Sequence, residues 1–352
     1  MSDDAGLGAC PLPARPPLGE VTLGHGSGGR LSQQLLERLI LPAFANPALL
    51  ARDDQAVLEL GDTRLAFSTD TFTVSPLFFP GGDVGELAVN GTVNDLACAG
   101  ATPRWLSAAF VLEEGLPLGE LEAVVASMQR AARRAGVQVV TGDTKVVQRG
   151  KGDRLFVNTS GIGVLPPGAP RLTAAACQAG DALLVSGTLG DHGVAVLAAR
   201  ERLGLGEELR SDTAPLHELA QALLAAAPGT RCLRDPTRGG LAAAVVELGL
   251  RAGLAAELDE AALPLSEPVR GALELLGLDP LFVANEGKLL AAVPEEQAPA
   301  ALAAWRAHPL GRAAGVVGRF AAGRPGGLVV RTAIGGRRTV ELPLTDPLPR
   351  IC

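Results

Sequence analysis

At 352 residues, with 47% hydrophobic and 20% charged side chains, the chain is long enough for two domains and too apolar to be disordered. Its formal net charge of −7 argues against a nucleic-acid binder, which carries a basic stripe. No apolar run reaches the length of a membrane span, and the opening Met-Ser-Asp-Asp lacks a basic-then-apolar leader, so a cytoplasmic protein is expected.

Residues 1–20 are rich in Pro and Gly and read as a loose N-terminal arm. The run Gly24-His25-Gly26-Ser27-Gly28-Gly29 follows, and then a helical pattern over about 31–39. Strand-like stretches fall near 55–60, 64–69, 104–112, 137–141 and 154–164, with helices at about 85–99 and 118–135 between them. This order predicts an α+β sheet domain over 21–165. Pro166-Pro167-Gly168-Ala169-Pro170 is the clearest linker. A second domain over 171–340 opens with a strand at 182–186. Helices at about 193–202, 214–227 and 241–252 and β-like runs at 289–293, 314–318 and 328–332 complete it. The last stretch, 341–352, holds three prolines and neither a helical nor a strand period. Such a segment favours an extended path of about 3.1 Å per residue, so it reads as a mobile arm with one thiol, Cys352, at its tip.

The five cysteines, Cys10, Cys98, Cys177, Cys232 and Cys352, include no CxxC pair, so neither a zinc site nor a disulfide framework is indicated. Only Lys145, Lys151 and Lys288 among the 31 basic residues are lysines. A chain that uses arginine elsewhere keeps lysine where a compact amine able to lose a proton is useful. Carboxylates recur at the ends of predicted elements: Asp53-Asp54, Asp70, Asp143, and Asp235 in the loop Arg234-Asp235-Pro236-Thr237-Arg238-Gly239-Gly240. Asn94-Asp95 lies inside a helix of small and apolar residues. A cap or turn explains any one of these aspartates. Several together, interleaved with Gly-rich loops, suit Mg²⁺ bridging to substrate phosphates, although no P-loop is present. Thr141-Gly142-Asp143-Thr144-Lys145 and Asn285-Glu286-Gly287-Lys288 are two further polar knots; each is equally compatible with surface ion pairing.

The Gly24–Gly29 run, Ser75-Pro76-Leu77-Phe78-Phe79-Pro80-Gly81-Gly82-Asp83 and Leu87-Ala88-Val89-Asn90-Gly91-Thr92-Val93-Asn94-Asp95-Leu96 resemble the HypE family of hydrogenase maturation proteins. So do 141–147, Ser186-Gly187-Thr188-Leu189-Gly190-Asp191-His192-Gly193, 234–241, 285–288 and the ending Pro349-Arg350-Ile351-Cys352. The resemblance runs in order from about residue 20 to the end. It implies the two-domain aminoimidazole ribonucleotide synthetase-like fold: an N-terminal ATP-binding mixed-sheet domain, a C-terminal α/β domain and an extended C-terminal arm. It also implies a homodimer joined through the N-terminal sheets. Asp54, Asp70, Asp95 and Asp235 match that superfamily's metal positions. Asp70, Asn94, Asp95, Thr141, Gly142, Asp143, Lys145 and Asp235 would serve ATP, and Lys145 and Glu286 would act near the docked tip of the arm.

The activity so implied is ATP-dependent dehydration of a carbamoyl group on Cys352 to a thiocyanate. A carbamoyltransferase would load the thiol, and an iron-bearing maturation complex would accept the cyanide for a nickel–iron hydrogenase. A selenophosphate synthetase would carry Cys or selenocysteine and Lys after the first Gly-rich loop, where this chain has Gly28-Gly29-Arg30. A non-catalytic carrier of Cys352 would tolerate changes at Asp70, Asp95 and Lys145.

Overall fold

The computed structural model describes residues 19–206, 208–344, 348 and 350–352, so nearly all of the expected N-terminal arm lies outside the described residues. Three short helices, α1 (Arg30–Leu35), α2 (Leu41–Phe44) and α3 (Pro47–Ala51), lead into strands β1 (Ala56–Leu60) and β2 (Thr63–Phe72). A two-stranded ribbon of β3 (Phe78–Phe79) and β4 (Gly82–Asp83) then turns into helix α4 (Val84–Cys98). β5 (Thr102–Glu113), α5 (Leu118–Ala135), β6 (Gln138–Val147) and β7 (Leu155–Val164) complete the first domain. Its five strands stand in the order β1-β2-β7-β5-β6, with β5 and β6 parallel and the other pairs antiparallel.

Helix α4 starts where the Asp83 carboxylate accepts the N–H groups of Gly85 at 2.7 Å and Glu86 at 3.1 Å. Nearly all its side chains are buried, because the helix lies between this sheet and the second domain. That accounts for a sequence with no polar stripe: every face has a neighbour. The same position puts Asn94 at the domain junction, where its Oδ1 accepts Leu216 N at 2.8 Å and its Nδ2 donates to the carbonyls of Ala214 and Glu286, each at 3.1 Å.

Strand β7 alternates buried and half-buried residues along its length. The buried set packs toward α4, and the other face of the sheet is largely open among the described residues. That open face carries Leu58, Phe67, Trp105 and Val111 partly exposed. Strand β6 extends six residues past the expected end at 141, because its pairing with the twelve-residue β5 continues to Glu113–Val147. Thr141, Asp143 and Lys145 pair with Ser107, Ala109 and Val111 and therefore sit on the same open face. Gly142 lies on the other face, where an added Cβ would overlap the Ala108 carbonyl oxygen. Gly142→Ala is expected to cost ~1–3 kcal/mol by pushing β6 off its neighbour, read as a lower urea midpoint. An unchanged midpoint would refute this register.

The second domain comprises β8 (Ala182–Val185), α6 (Asp191–Glu201), α7 (His217–Ala226), β9 (Cys232–Arg234), α8 (Gly240–Ala252), β10 (Ala255–Asp259), α9 (Glu267–Leu276), β11 (Leu290–Val293), α10 (Ala298–Ala307), β12 (Gly315–Ala321), β13 (Leu328–Arg331) and β14 (Arg337–Val340). Its seven strands run in the order β14-β13-β10-β12-β8-β11-β9, with β10 and β13 parallel. Central strands β8 and β11 are wholly buried, as their unbroken apolar runs require. No helix among the described residues is long and apolar enough to cross a membrane.

Candidate active site

Where the two domains meet, a cavity of about 250 Å³ gathers Asp54, Asp70, Asp95, Asp235, Glu286, Arg234, Arg238, Gly28 and the terminal Cys352. The elements explain the convergence. Asp54 precedes β1, Asp70 lies near the end of β2, Asp95 projects from the buried face of α4, and Asp235 follows β9. Residues 181 positions apart in the chain, Asp54 and Asp235, place ligand atoms within 4.8 Å of each other and of the Cys98 sulfur. The sulfur belongs to a thiol that burial and the charges of Asp54, Asp235 and Asp95 hold protonated.

The cavity is short of positive charge. Burial, and then repulsion from Asp70, Asp235 and Asp54, pushes the Asp95 carboxyl well above the usual range, and Ser68 Oγ donates to it. Asp235 is pushed up to about 8 by burial and Asp54, against the pull of Arg234. Asp54 is pushed up to about 6 by burial, despite an ion pair with Arg234 Nε at 3.0 Å. Glu286 is buried beside Asp235 and Asp212 and is raised well above its ordinary value. Its Oε1 has no hydrogen-bond partner among the described residues. Its main chain, by contrast, is pinned: N–H to Asp212 Oδ1 at 3.0 Å, C=O to Asn94. Asp212 also takes Lys288 Nζ at 2.8 Å. Oxygen donors that burial and mutual repulsion leave under-compensated fit a hard divalent cation such as Mg²⁺.

The end of the chain is docked. Main-chain N–H groups of Arg30 and Leu31 donate to the carbonyls of Pro343 and Leu344, each at 3.4 Å. Further on, Ser75 N and Arg200 donate to Arg350 O, Thr73 N donates to Cys352 O at 3.2 Å, and His192 Nε2 bonds Ile351 O at 2.8 Å. Leu348 and Ile351 are buried, and Cys352 retains 8% exposure. Arg238 Nη1 stands 3.8 Å from the Cys352 sulfur.

Most of the expected residues therefore share one cavity: Cys352, Glu286, Asp54, Asp70, Asp95 and Asp235. Asn94 lies beside it with its amide committed to the domain junction. Thr141, Gly142 and Asp143 do not line it within a single chain; they edge a separate depression between β6 and α5, and Lys145 stands exposed on the same strand. Three participants went unselected in the sequence: Arg234, Arg238 and His192. Arg238 had a signal, lying between a cation-rich loop and paired glycines. A second cavity of about 490 Å³ shares Gly28, Asp54, Arg234 and Glu247 with the first. It is walled by Leu36, Leu49, Phe67 and Leu250 and by Gln55, whose buried Oε1 lacks a partner.

The N-terminal and C-terminal domain profiles of the AIR synthase related proteins match residues 52–165 and 178–331. The carbamoyl dehydratase HypE of Azotobacter vinelandii is 52% identical over 334 residues, 95% of this chain and 98% of the relative. That of Escherichia coli is 52% identical over 345 residues, covering 95% and 100%. A solved HypE–HypF complex matches with a TM-score of 0.83 at 43% identity, over 88% of this chain and 99% of that one. HypE in complex with ATP matches with a TM-score of 0.80 at 47% identity, over 94% and 99%.

Proposed function

The chain belongs to the HypE family of carbamoyl dehydratases, and from that premise we propose that Cys352 carries a carbamoyl group which the protein dehydrates, with ATP, to a thiocyanate. The product supplies the cyanide ligand for maturation of a nickel–iron hydrogenase. One observation carries the reading: the terminal thiol ends inside the cavity that holds four buried aspartates and Glu286.

Each group has work that suits its surroundings. An amide oxygen is a poor leaving group, and ATP supplies the phosphoryl group that turns it into one. Asp54, Asp70, Asp95 and Asp235 would hold Mg²⁺, which would offset the charge of the triphosphate. Overall, the carbamoyl oxygen leaves as part of phosphate, the nitrogen gives up both protons, and S–C≡N remains beside ADP. Glu286 is the proton acceptor this site offers: buried, raised in pKa, and with one oxygen free of hydrogen bonds. The apolar second cavity, opening beside Asp54, is the space for the adenosine.

A thiol with 8% exposure cannot enter another enzyme's active site, so the arm leaves its dock for loading by a carbamoyltransferase of the HypF kind. It leaves again to deliver cyanide to an iron-bearing maturation complex. Among the described residues a few hydrogen bonds, the ion pair of Arg350 with Asp153 and the buried side chains of Leu342, Leu348 and Ile351 hold the arm, a terminal segment that can leave its dock and return.

The open sheet face is the surface for a second copy. Trp105 and Val111 there are 42% and 37% exposed, on a sheet whose opposite face is buried. A homodimer on this face places Thr141, Asp143 and Lys145 at the interface, next to the partner's site. Trp105→Glu is expected to convert the dimer to monomer by analytical ultracentrifugation, with loss of dehydration; a monomeric wild type would remove this part of the proposal.

Cys352→Ala tests the carrier role. Intact-protein mass spectrometry after incubation with the loading enzyme and its substrates should show wild type gaining one carbamoyl group and the variant gaining none. A variant that loads normally would place the carrier elsewhere.

A further inference from the structure

Arg238 brings a guanidinium to the sulfur at the heart of this cavity, with Nη1 3.8 Å from Cys352 Sγ. Its backbone is fixed from two sides. Gly28, at φ +81°, lies so close that an added Cβ would stand 3.0 Å from Arg238 Cβ and 3.1 Å from its carbonyl oxygen. Gly239 and Gly240, at φ +75° and +62°, then turn the chain directly into α8. The charges of Cys352, Asp70, Glu286 and Asp235 surround the guanidinium and keep it cationic.

A phosphoryl group arriving on the carbamoyl oxygen, two bonds from the sulfur, enters a space walled by carboxylates. We propose that Arg238 is a catalytic residue of the dehydration: it holds the phosphoryl group on the carbamoyl oxygen and carries its charge while phosphate departs. The assignment rests on Cys352 being the carrier. In the first step the carbamoyl oxygen bonds to the γ-phosphorus of ATP as the bond to ADP breaks. In the second the C–O bond breaks, phosphate leaves with that oxygen, and the nitrogen's two protons are lost as C≡N forms. No oxidant or reductant enters. Charge sits on the phosphoryl oxygens throughout, and a planar fork that can grip two of them beside the sulfur suits both steps.

The test is single turnover of protein already carrying the carbamoyl group, started with Mg-ATP and followed by intact mass. R238Q should lose water about 10²–10³-fold more slowly than wild type, the scale of removing a preorganised charge donor. R238K should fall between them. In R238A, millimolar guanidinium, well below denaturing levels, should restore at least about tenfold of the rate, a response that a packing defect does not give. Dehydration by R238Q within a few-fold of wild type overturns the assignment, as does a loss in R238A that guanidinium leaves unchanged. Wild type that keeps its carbamoyl group under Mg-ATP removes the reading of function itself, and so is distinguishable from either result.

Discussion

Glu286→Gln should load with carbamoyl as wild type does and then lose water at least about 10²-fold more slowly, the usual contribution of a positioned proton acceptor. The substitution keeps the shape of the side chain and removes only its basicity. Nothing in the fold depends on that basicity, since the backbone of Glu286 makes its bonds to Asp212 and Asn94 while Oε1 makes none. Thermal midpoint and ATP affinity should therefore change little while the chemical step slows. Single-turnover mass spectrometry reads the step directly. A rate within a few-fold of wild type would assign the proton to another group, and Lys145 from a second copy would then be the first to examine.

Without a divalent cation, the protein should lose stability as pH rises from about 6.5 to about 8, and saturating Mg²⁺ should flatten the slope. Asp235 is raised to about 8, largely by burial and the like charge of Asp54. Across this window the folded chain holds protons that the unfolded chain has released, so stability falls with pH by ~1.4 kcal/mol per pH unit for each such proton. Buried His192 has a depressed pKa and acts below the window, because its penalty appears only as the unfolded imidazole charges. Retaining one such proton costs about 2 kcal/mol across the window, or about 3 °C in Tm. Mg²⁺ takes the place of the protons and removes the cause. Differential scanning calorimetry at several pH values, with and without Mg²⁺, checks both halves. A flat apo profile, or a slope that Mg²⁺ leaves intact, would contradict the electrostatic account of the cavity.

Much of the first domain was legible because its segments obey local rules. The alternation through 154–164 is a half-buried strand, and Pro166–Pro170 punctuates where one sheet ends. Asp54, Asp70 and Asp235 were legible as residues at element ends, but only the resemblance grouped them with Asp95, since their meeting depends on how two domains close on each other. Lys145 shows the limit more sharply. The resemblance put it near the nucleotide and the docked tip of the arm, whereas within one chain the long-range pairing with β5 carries the strand onward and turns the side chain to the open face. Single-chain geometry leaves it there, and the proposed homodimer is what would bring it to a site. Arg238 and His192 act through contacts with residues over a hundred positions away, at Cys352 and Ile351, which no local period encodes. The tail read as an extended, mobile arm for the same reason: it has no period of its own, and its described residues take their path from Thr73, Ser75, Arg200 and His192.

The measurement that bears most directly on the central claim is the fate of the carbamoyl oxygen. Protein loaded on Cys352 with a heavy-oxygen carbamoyl group is given Mg-ATP for one turnover, and both protein and phosphate are examined by mass spectrometry. The account predicts that the protein loses the mass of one heavy water and that the label appears in inorganic phosphate. Label found in bulk water, or retained on the protein while ATP is consumed, would contradict it.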